Sequence, residues 1–205
     1  RMDADVGRIL AVVDELKLRD NTIVFFCSDN GGPAPFGETF HTNGVLRGKK
    51  GQVYEGGLRV PMIARWPGHV PAGATSDVPW YFADILPTFA ELAGVKPPAN
   101  LDGVSIVPTL LGKEQNLADR FLYWEQTGGR FDQAVRWHNW KAVRLGKDKP
   151  LELYNLATDP SETKNVAAAN PAVVRRIEEY LKTARTDSDD WPVDDRVSAE
   201  KADRG

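Results

Sequence analysis

Apolar residues along this chain fall into runs whose spacing changes from segment to segment. Met2, Val6, Ile9, Leu10, Val13 and Leu16 recur at helical spacing and predict an amphipathic helix ending near Leu18. Asp20-Asn21 then turns into a strand-like run from Thr22 to Ser28, apolar through Cys27. Residues 29–58 are glycine-rich with little periodic pattern and read as a long loop, of the kind that is either functional or disordered. Val60 to Trp66 gives a second short apolar segment closed by Pro67-Gly68. Trp80 to Leu92 reads as a helix stopped by Gly94 and Pro97-Pro98. The order helix, strand, loop, strand, helix suggests an α/β fold. An unbroken apolar strand suits a parallel sheet covered on both faces.

From residue 120 the pattern changes. Phe121 to Trp124, Ala134 to Trp137, Trp140 to Leu145 and Leu151 to Tyr154 are short, aromatic-rich and separated by turn residues, which predicts an antiparallel sheet. Asp159-Pro160 makes a further turn, and Pro171 opens a helix through Val174, Ile177 and Leu181. The expected division is residues 1–115, residues 116–184 as a small antiparallel subdomain with its helix, and a polar, poorly ordered tail over 185–205.

Charge sharpens the picture. Residues 185–205 carry seven acidic and four basic residues, which accounts for the whole formal net charge of −3. The remainder is neutral, which argues against a nucleic-acid binder. No apolar run reaches the roughly 20 residues that span a bilayer, and no signal peptide is visible. The single cysteine, Cys27, excludes an internal disulfide and reads as a buried structural thiol.

The candidate chemistry lies in the long loop. Asp29-Asn30-Gly31-Gly32 follows the apolar run directly. A carboxylate and an amide oxygen at the carboxyl end of a strand suit a hard cation, and the same residues suit a tight turn. Residues 41–70 hold Arg47, Lys49, Lys50, Arg59 and Arg65 against one acidic residue, Glu55. Lysines there act as point charges toward a phosphate or sulfate ester, or form a solvated basic loop.

Several stretches together carry a family resemblance. Ser28-Asp29-Asn30-Gly31-Gly32, Leu46-Arg47-Gly48-Lys49-Lys50-Gly51, Tyr54-Glu55-Gly56-Gly57-Leu58-Arg59-Val60-Pro61 and Arg65-Trp66-Pro67-Gly68 resemble, in order and spacing, the carboxyl-terminal part of the type I sulfatases. These arylsulfatase-like enzymes belong to the alkaline phosphatase superfamily. Asp84-Ile85-Leu86-Pro87-Thr88, Leu101-Asp102-Gly103-Val104-Ser105, Trp140-Lys141-Ala142-Val143 and Glu152-Leu153-Tyr154-Asn155-Leu156 continue the likeness to about residue 182.

The resemblance implies the end of a mainly parallel sheet flanked by helices, followed by the small antiparallel subdomain. It implies that Asp29 and Asn30 ligate Ca²⁺ and that Lys50 contacts the sulfate; His41, just before the basic loop, is either a pocket-lining candidate or a surface-loop histidine. It makes Glu55 to Gly57 structural, and it makes the Glu125 to Arg130 loop a candidate for choosing the alcohol part of the substrate. The implied substrates are sulfated small molecules or polysaccharides, and the implied compartments are periplasmic, secreted or lysosomal.

The family's Cys/Ser-x-Pro-x-Arg motif, source of its formylglycine nucleophile, does not occur in these residues. The chain alone is therefore expected to be inactive, with the amino-terminal part of the same enzyme as its partner. The rival readings are a phosphohydrolase or phosphonate monoester hydrolase of the wider superfamily, and a non-catalytic module derived from a sulfatase.

Overall fold

A computed structural model describes residues 1–33, 40–117, 119–127, 130–190 and 193. Two compact units emerge, Arg1–Cys27 with Pro61–Leu117, and Ser28–Val60 with Ala118–Gly205. Segment 28–60, grouped by sequence with residues 1–115, thus clusters with the carboxyl-terminal sheet. Most of the acidic tail, and Gly128-Gly129 of the 125–130 loop, lie outside the described residues.

In the first unit, helix α1 spans Met2–Glu15, and Asp3 and Asp5 in its first turn complement the positive end of the helix dipole. None of its residues is buried, and Met2 and Ile9, with Leu16 just past its end, stand exposed. Strands β1 (Val24–Cys27) and β2 (Met62–Arg65) pair antiparallel, Val24 opposite Arg65 and Cys27 opposite Met62. The expected parallel pairing is not found among the described residues. A parallel neighbour needs a crossover of a dozen or more residues with a helix on the sheet face. Here the chain returns through segment 28–60, whose helix α2 (Glu55–Leu58) has only four residues. Cys27 is exposed rather than buried, at the end of a strand whose sheet has two strands among the described residues.

The helix expected over 80–92 divides into a 3₁₀ turn, Phe82–Asp84, and helix α3, Ile85–Leu92. Fully buried Asp84 accepts bonds from the backbone N–H of Tyr81 (3.0 Å) and of Val104 (2.9 Å). Fully buried Thr88 donates to the Asp84 carbonyl (2.6 Å) and accepts from the Ile106 N–H (3.1 Å). The Asp84 to Thr88 motif is therefore a clamp on the segment leading to helix α4 (Val107–Leu110). Gly94, at φ 67°, ends α3 in the left-handed conformation that suits glycine.

The second unit contains the antiparallel sheet β3 (Phe121–Gln126), β4 (Asp132–Trp137), β5 (Trp140–Leu145) and β6 (Glu152–Asn155), in sequential order. The middle strands are buried at consecutive positions, so both faces are covered. On one face Val135, Ala142, Leu151 and Leu153 pack with Ile177 of helix α5 (Pro171–Leu181). On the other, Ala134, Val143 and Tyr154 pack with Val53 and Tyr54. The long loop thus supplies the second layer over this sheet.

Candidate functional site

The loop segments that carry the candidate residues are tied together by backbone bonds. Gly31 N–H donates to the Gly57 carbonyl (3.0 Å), Lys50 N–H to Gly32 (3.1 Å), and Gly56 N–H to Arg47 (2.6 Å). Asn43 joins two of them, accepting from Gly32 N–H (2.8 Å) and donating to the Gly48 carbonyl (2.9 Å). Glycine is required where these backbones meet, since a Cβ on Gly31 would lie 1.7 Å from the Gly56 carbonyl oxygen. The Asp29-Asn30 turn and Lys50 therefore belong to one interlocked loop set, although 20 residues separate Asn30 from Lys50.

Asp29 is exposed and Asn30 half-buried. Among the described residues, neither the Asp29 carboxylate, the Asn30 amide nor the Lys50 ammonium has a hydrogen-bond or ion-pair partner. The Ser28 hydroxyl donates to the Asn30 carbonyl (2.8 Å) and shapes the turn. His41 is exposed, with φ 47°. No group of three or more His, Cys, Asp or Glu able to hold a metal ion occurs among the described residues. His69 stacks on Trp66, and His138 sits in the β4–β5 turn beside Asp119.

Arg47 serves a different purpose from Lys49 and Lys50. Its guanidinium lies 3.9 Å from the Tyr54 ring centre and donates to the Tyr154 hydroxyl and the Glu162 carbonyl, each at 2.9 Å. Both Tyr54 and Tyr154 donate to Glu152 Oε2 at 2.7 Å. Burial and the Glu152 bond push the Tyr154 phenol up to about 12, so it stays protonated as a donor. All three basic residues are exposed, but the cluster is divided by its contacts, with Arg47 pinning the loop to the sheet.

Sequence reasoning missed the anchor beneath this loop. Lys141 of β5 is fully buried, its Nζ 2.8 Å from Glu55 Oε1. Arg136 approaches Glu55 Oε2 at 3.8 Å, and Glu162, also fully buried, accepts the Glu55 backbone N–H at 2.8 Å. Burial alone would raise the Glu55 carboxyl, but Lys141 and Arg136 outweigh it and hold it below the usual range. Burial pushes Glu162 up to about 7. The available signal was a lysine inside an apolar strand, Trp140-Lys141-Ala142-Val143, which demands an acidic partner if both faces are covered.

A cavity of about 280 Å³ adjoins the lysine loop, lined among others by Gly51, Gln52, Tyr54, Gln126, Arg130 and Asp132. Arg130 and Asp132 form a two-point ion pair at 2.5 and 2.9 Å, so the cavity is polar while these two charges cancel.

The family described as N-sulphoglucosamine sulphohydrolase, C-terminal, matches residues 48–187. Steryl-sulfatase of Mus musculus is 42% identical over 149 residues, covering 69% of this chain and 24% of that protein. The N-acetylgalactosamine-6-O-sulfatase of Bacteroides thetaiotaomicron is 35% identical over 213 residues, covering 91% and 40%. A solved structure, Ps i-CgsB in complex with k-i-k-neocarrahexaose, matches with a TM-score of 0.77 at 33% identity, covering 98% of this chain and 44% of that one. The chain thus spans less than half the length of these relatives.

Proposed function

This chain belongs to the sulfatase family, whose carboxyl-terminal part it matches, and from that premise we propose that the full protein hydrolyses sulfate esters with Asp29, Asn30 and Lys50 forming one wall of its active site. The observation that carries the reading is the set of ligand oxygens and the ammonium that have no partner among the described residues on one interlocked loop.

Asp29 and Asn30 offer the hard oxygen atoms that Ca²⁺ prefers, and their donor chemistry fits that ion. Ca²⁺ takes about 6–8 oxygen ligands, so these two form part of a shell completed by residues outside this chain. Bound there, the ion would neutralise charge on the sulfate oxygens. Lys50 holds the same oxygens as a point charge whose worth rises as negative charge grows in the transition state. Lys49 adds to the local positive potential. The nucleophile, a formylglycine in this family, is assigned to the amino-terminal part of the enzyme. We assign β1 and β2 to the margin of a larger, mainly parallel sheet completed by that part. We retain 1–115 as the end of the catalytic domain and 116–184 as its subdomain.

The substrate we favour is a sulfated sugar. One relative is named for N-acetylgalactosamine 6-O-sulfate, and the matching structure holds a neocarrahexaose. The cavity lined by Gly51, Gln52 and Gln126, with its amide groups and a charge-compensated Arg130–Asp132 pair, suits uncharged hydroxyl groups of a sulfated sugar.

In the full-length enzyme, Lys50→Ala should lower kcat/KM on a chromogenic aryl sulfate by about 100-fold or more, as loss of one donor to a developing anion does, with the melting temperature unchanged. Unaltered turnover would remove Lys50 from the site. Asp29→Asn should weaken Ca²⁺ binding in isothermal titration, and an unchanged isotherm would remove Asp29 from the metal shell.

A further inference from the structure

We propose that Glu162 is a positioning residue for the lysine loop, acting through Glu55 and helix α2 on the segment that carries Lys49 and Lys50. This rests on the assignment of Lys50 given above. Glu162 falls within the matched residues 48–187, and no contact with substrate is ascribed to it.

The geometry carries the argument. Glu162 is fully buried and sits at φ 51°, a left-handed conformation that costs a non-glycine residue free energy. That backbone is held by bonds on both of its sides. Its N–H donates to Asp159 (3.2 Å), and its carbonyl accepts from Arg47 (2.9 Å). Its carboxylate then reaches the Glu55 N–H (2.8 Å), at the first residue of α2. Glu55 is fastened in turn by Lys141. From α2 the tethers run directly to the site. Gly56 N–H binds the Arg47 carbonyl, Gly57 receives the Gly31 N–H, and Lys50 N–H binds Gly32.

Glu162 therefore touches both ends of the lysine loop, Arg47 before it and Glu55 after it. One residue closes the frame in which residues 48–54 are held, its backbone carbonyl on Arg47 and its carboxylate on Glu55. The charged groups facing it are Glu55, Lys141 and Arg47. The Glu162 carboxylate accepts a hydrogen bond from the Glu55 N–H, while Lys141 donates to Glu55 and Arg47 donates to the Glu162 backbone carbonyl. One of its carboxylate oxygens has no hydrogen-bond partner among the described residues.

Two substitutions separate positioning from simple stability. Glu162→Asn tolerates the left-handed backbone but is one methylene too short to reach Glu55. Glu162→Gln keeps an acceptor oxygen at full length. In the full-length enzyme, amide hydrogen exchange at Lys50, Gly56 and Gly57 should accelerate by at least about tenfold in Glu162→Asn, the factor carried by one lost hydrogen bond to a carboxylate. Exchange in Glu162→Gln should stay near wild type. KM for a chromogenic aryl sulfate should rise with the same pattern. The effect of Glu162→Asn should vanish when Lys50 is already alanine, since the two act on one contact.

Unchanged loop exchange in Glu162→Asn overturns the proposal, as does additivity with an effective Lys50→Ala. If Lys50→Ala leaves turnover intact, the Lys50 assignment fails, while the exchange data still decide whether Glu162 holds the loop.

Discussion

Lys141→Met removes the cation from the anchor while keeping a long unbranched side chain in its place. The ammonium is fully buried and 2.8 Å from Glu55 Oε1. At an effective dielectric near 20, charges that close attract by about 6 kcal/mol. The lysine also regains hydration when it is not buried, so the net loss is smaller. Breaking one partner of a buried pair costs about 3–5 kcal/mol, because the other charge is left behind. Arg136, 3.8 Å from Glu55, remains as the compensating cation and favours the lower end. A loss of that size corresponds to about 6–20 °C in melting temperature for a unit of 150–250 residues.

The pH dependence gives a second reading of the same substitution. With Lys141 present, Glu55 is held below its ordinary value. The pair then stabilises the fold above the unfolded carboxylate range, and that contribution fades as pH falls through the lowered folded value. Without Lys141, burial dominates and raises Glu55, so the variant regains stability as pH falls. The gap between wild type and variant should narrow from about pH 7 to about pH 5. Denaturation of the full-length protein followed by tryptophan fluorescence measures it, with Trp124 lying 5.3 Å from the Lys141 nitrogen. The double variant Glu55→Gln, Lys141→Met should recover part of the loss, since no unpaired Glu55 charge stays buried. A loss for Lys141→Met below about 1 kcal/mol at neutral pH, within the range of ordinary substitutions, would refute the account of the anchor.

Two further outcomes follow from the first unit. Asp84→Ala deletes the acceptor of two backbone N–H groups at a fully buried site. Each such bond to a charged group is worth about 1.5–3 kcal/mol, so the midpoint of chemical denaturation should fall markedly, and an unshifted midpoint would contradict the clamp. This chain produced by itself should enhance the fluorescence of a hydrophobic dye, because Ile9, Leu16, Ile63 and Phe82 are all more than half exposed. A dye signal no greater than that of a well-packed protein of similar size would count against an uncovered apolar face.

Local pattern alone was enough for much of the fold. The helical spacing of Met2 to Leu16, the four aromatic-rich strands, and Pro171 opening α5 all describe interactions within a few residues, and those elements appear. The helix over 80–92 was legible in position, but its first turn became 3₁₀ where Asp84 bonds a segment 20 residues away. The sequence likeness also made Glu55 to Gly57 structural, and the close backbone approaches at Gly56 and Gly57 give that a physical form.

Partners distant in sequence were decided only by the tertiary structure. Strand direction depends on the path of the chain between β1 and β2, which an apolar run does not encode. Exposure of Cys27 depends on how many strands surround it. Arg47, Lys49 and Lys50 look alike as a basic cluster, yet only Arg47 meets Tyr54, Tyr154 and Glu162. The pairing of Glu55 with Lys141 spans 86 residues, and nothing in either local pattern names the other. From sequence alone came an apolar strand, an Asp-Asn turn and a basic glycine-rich loop. Their joining into one frame comes from burial, because a loop laid over a sheet must satisfy its polar groups with whatever that sheet presents.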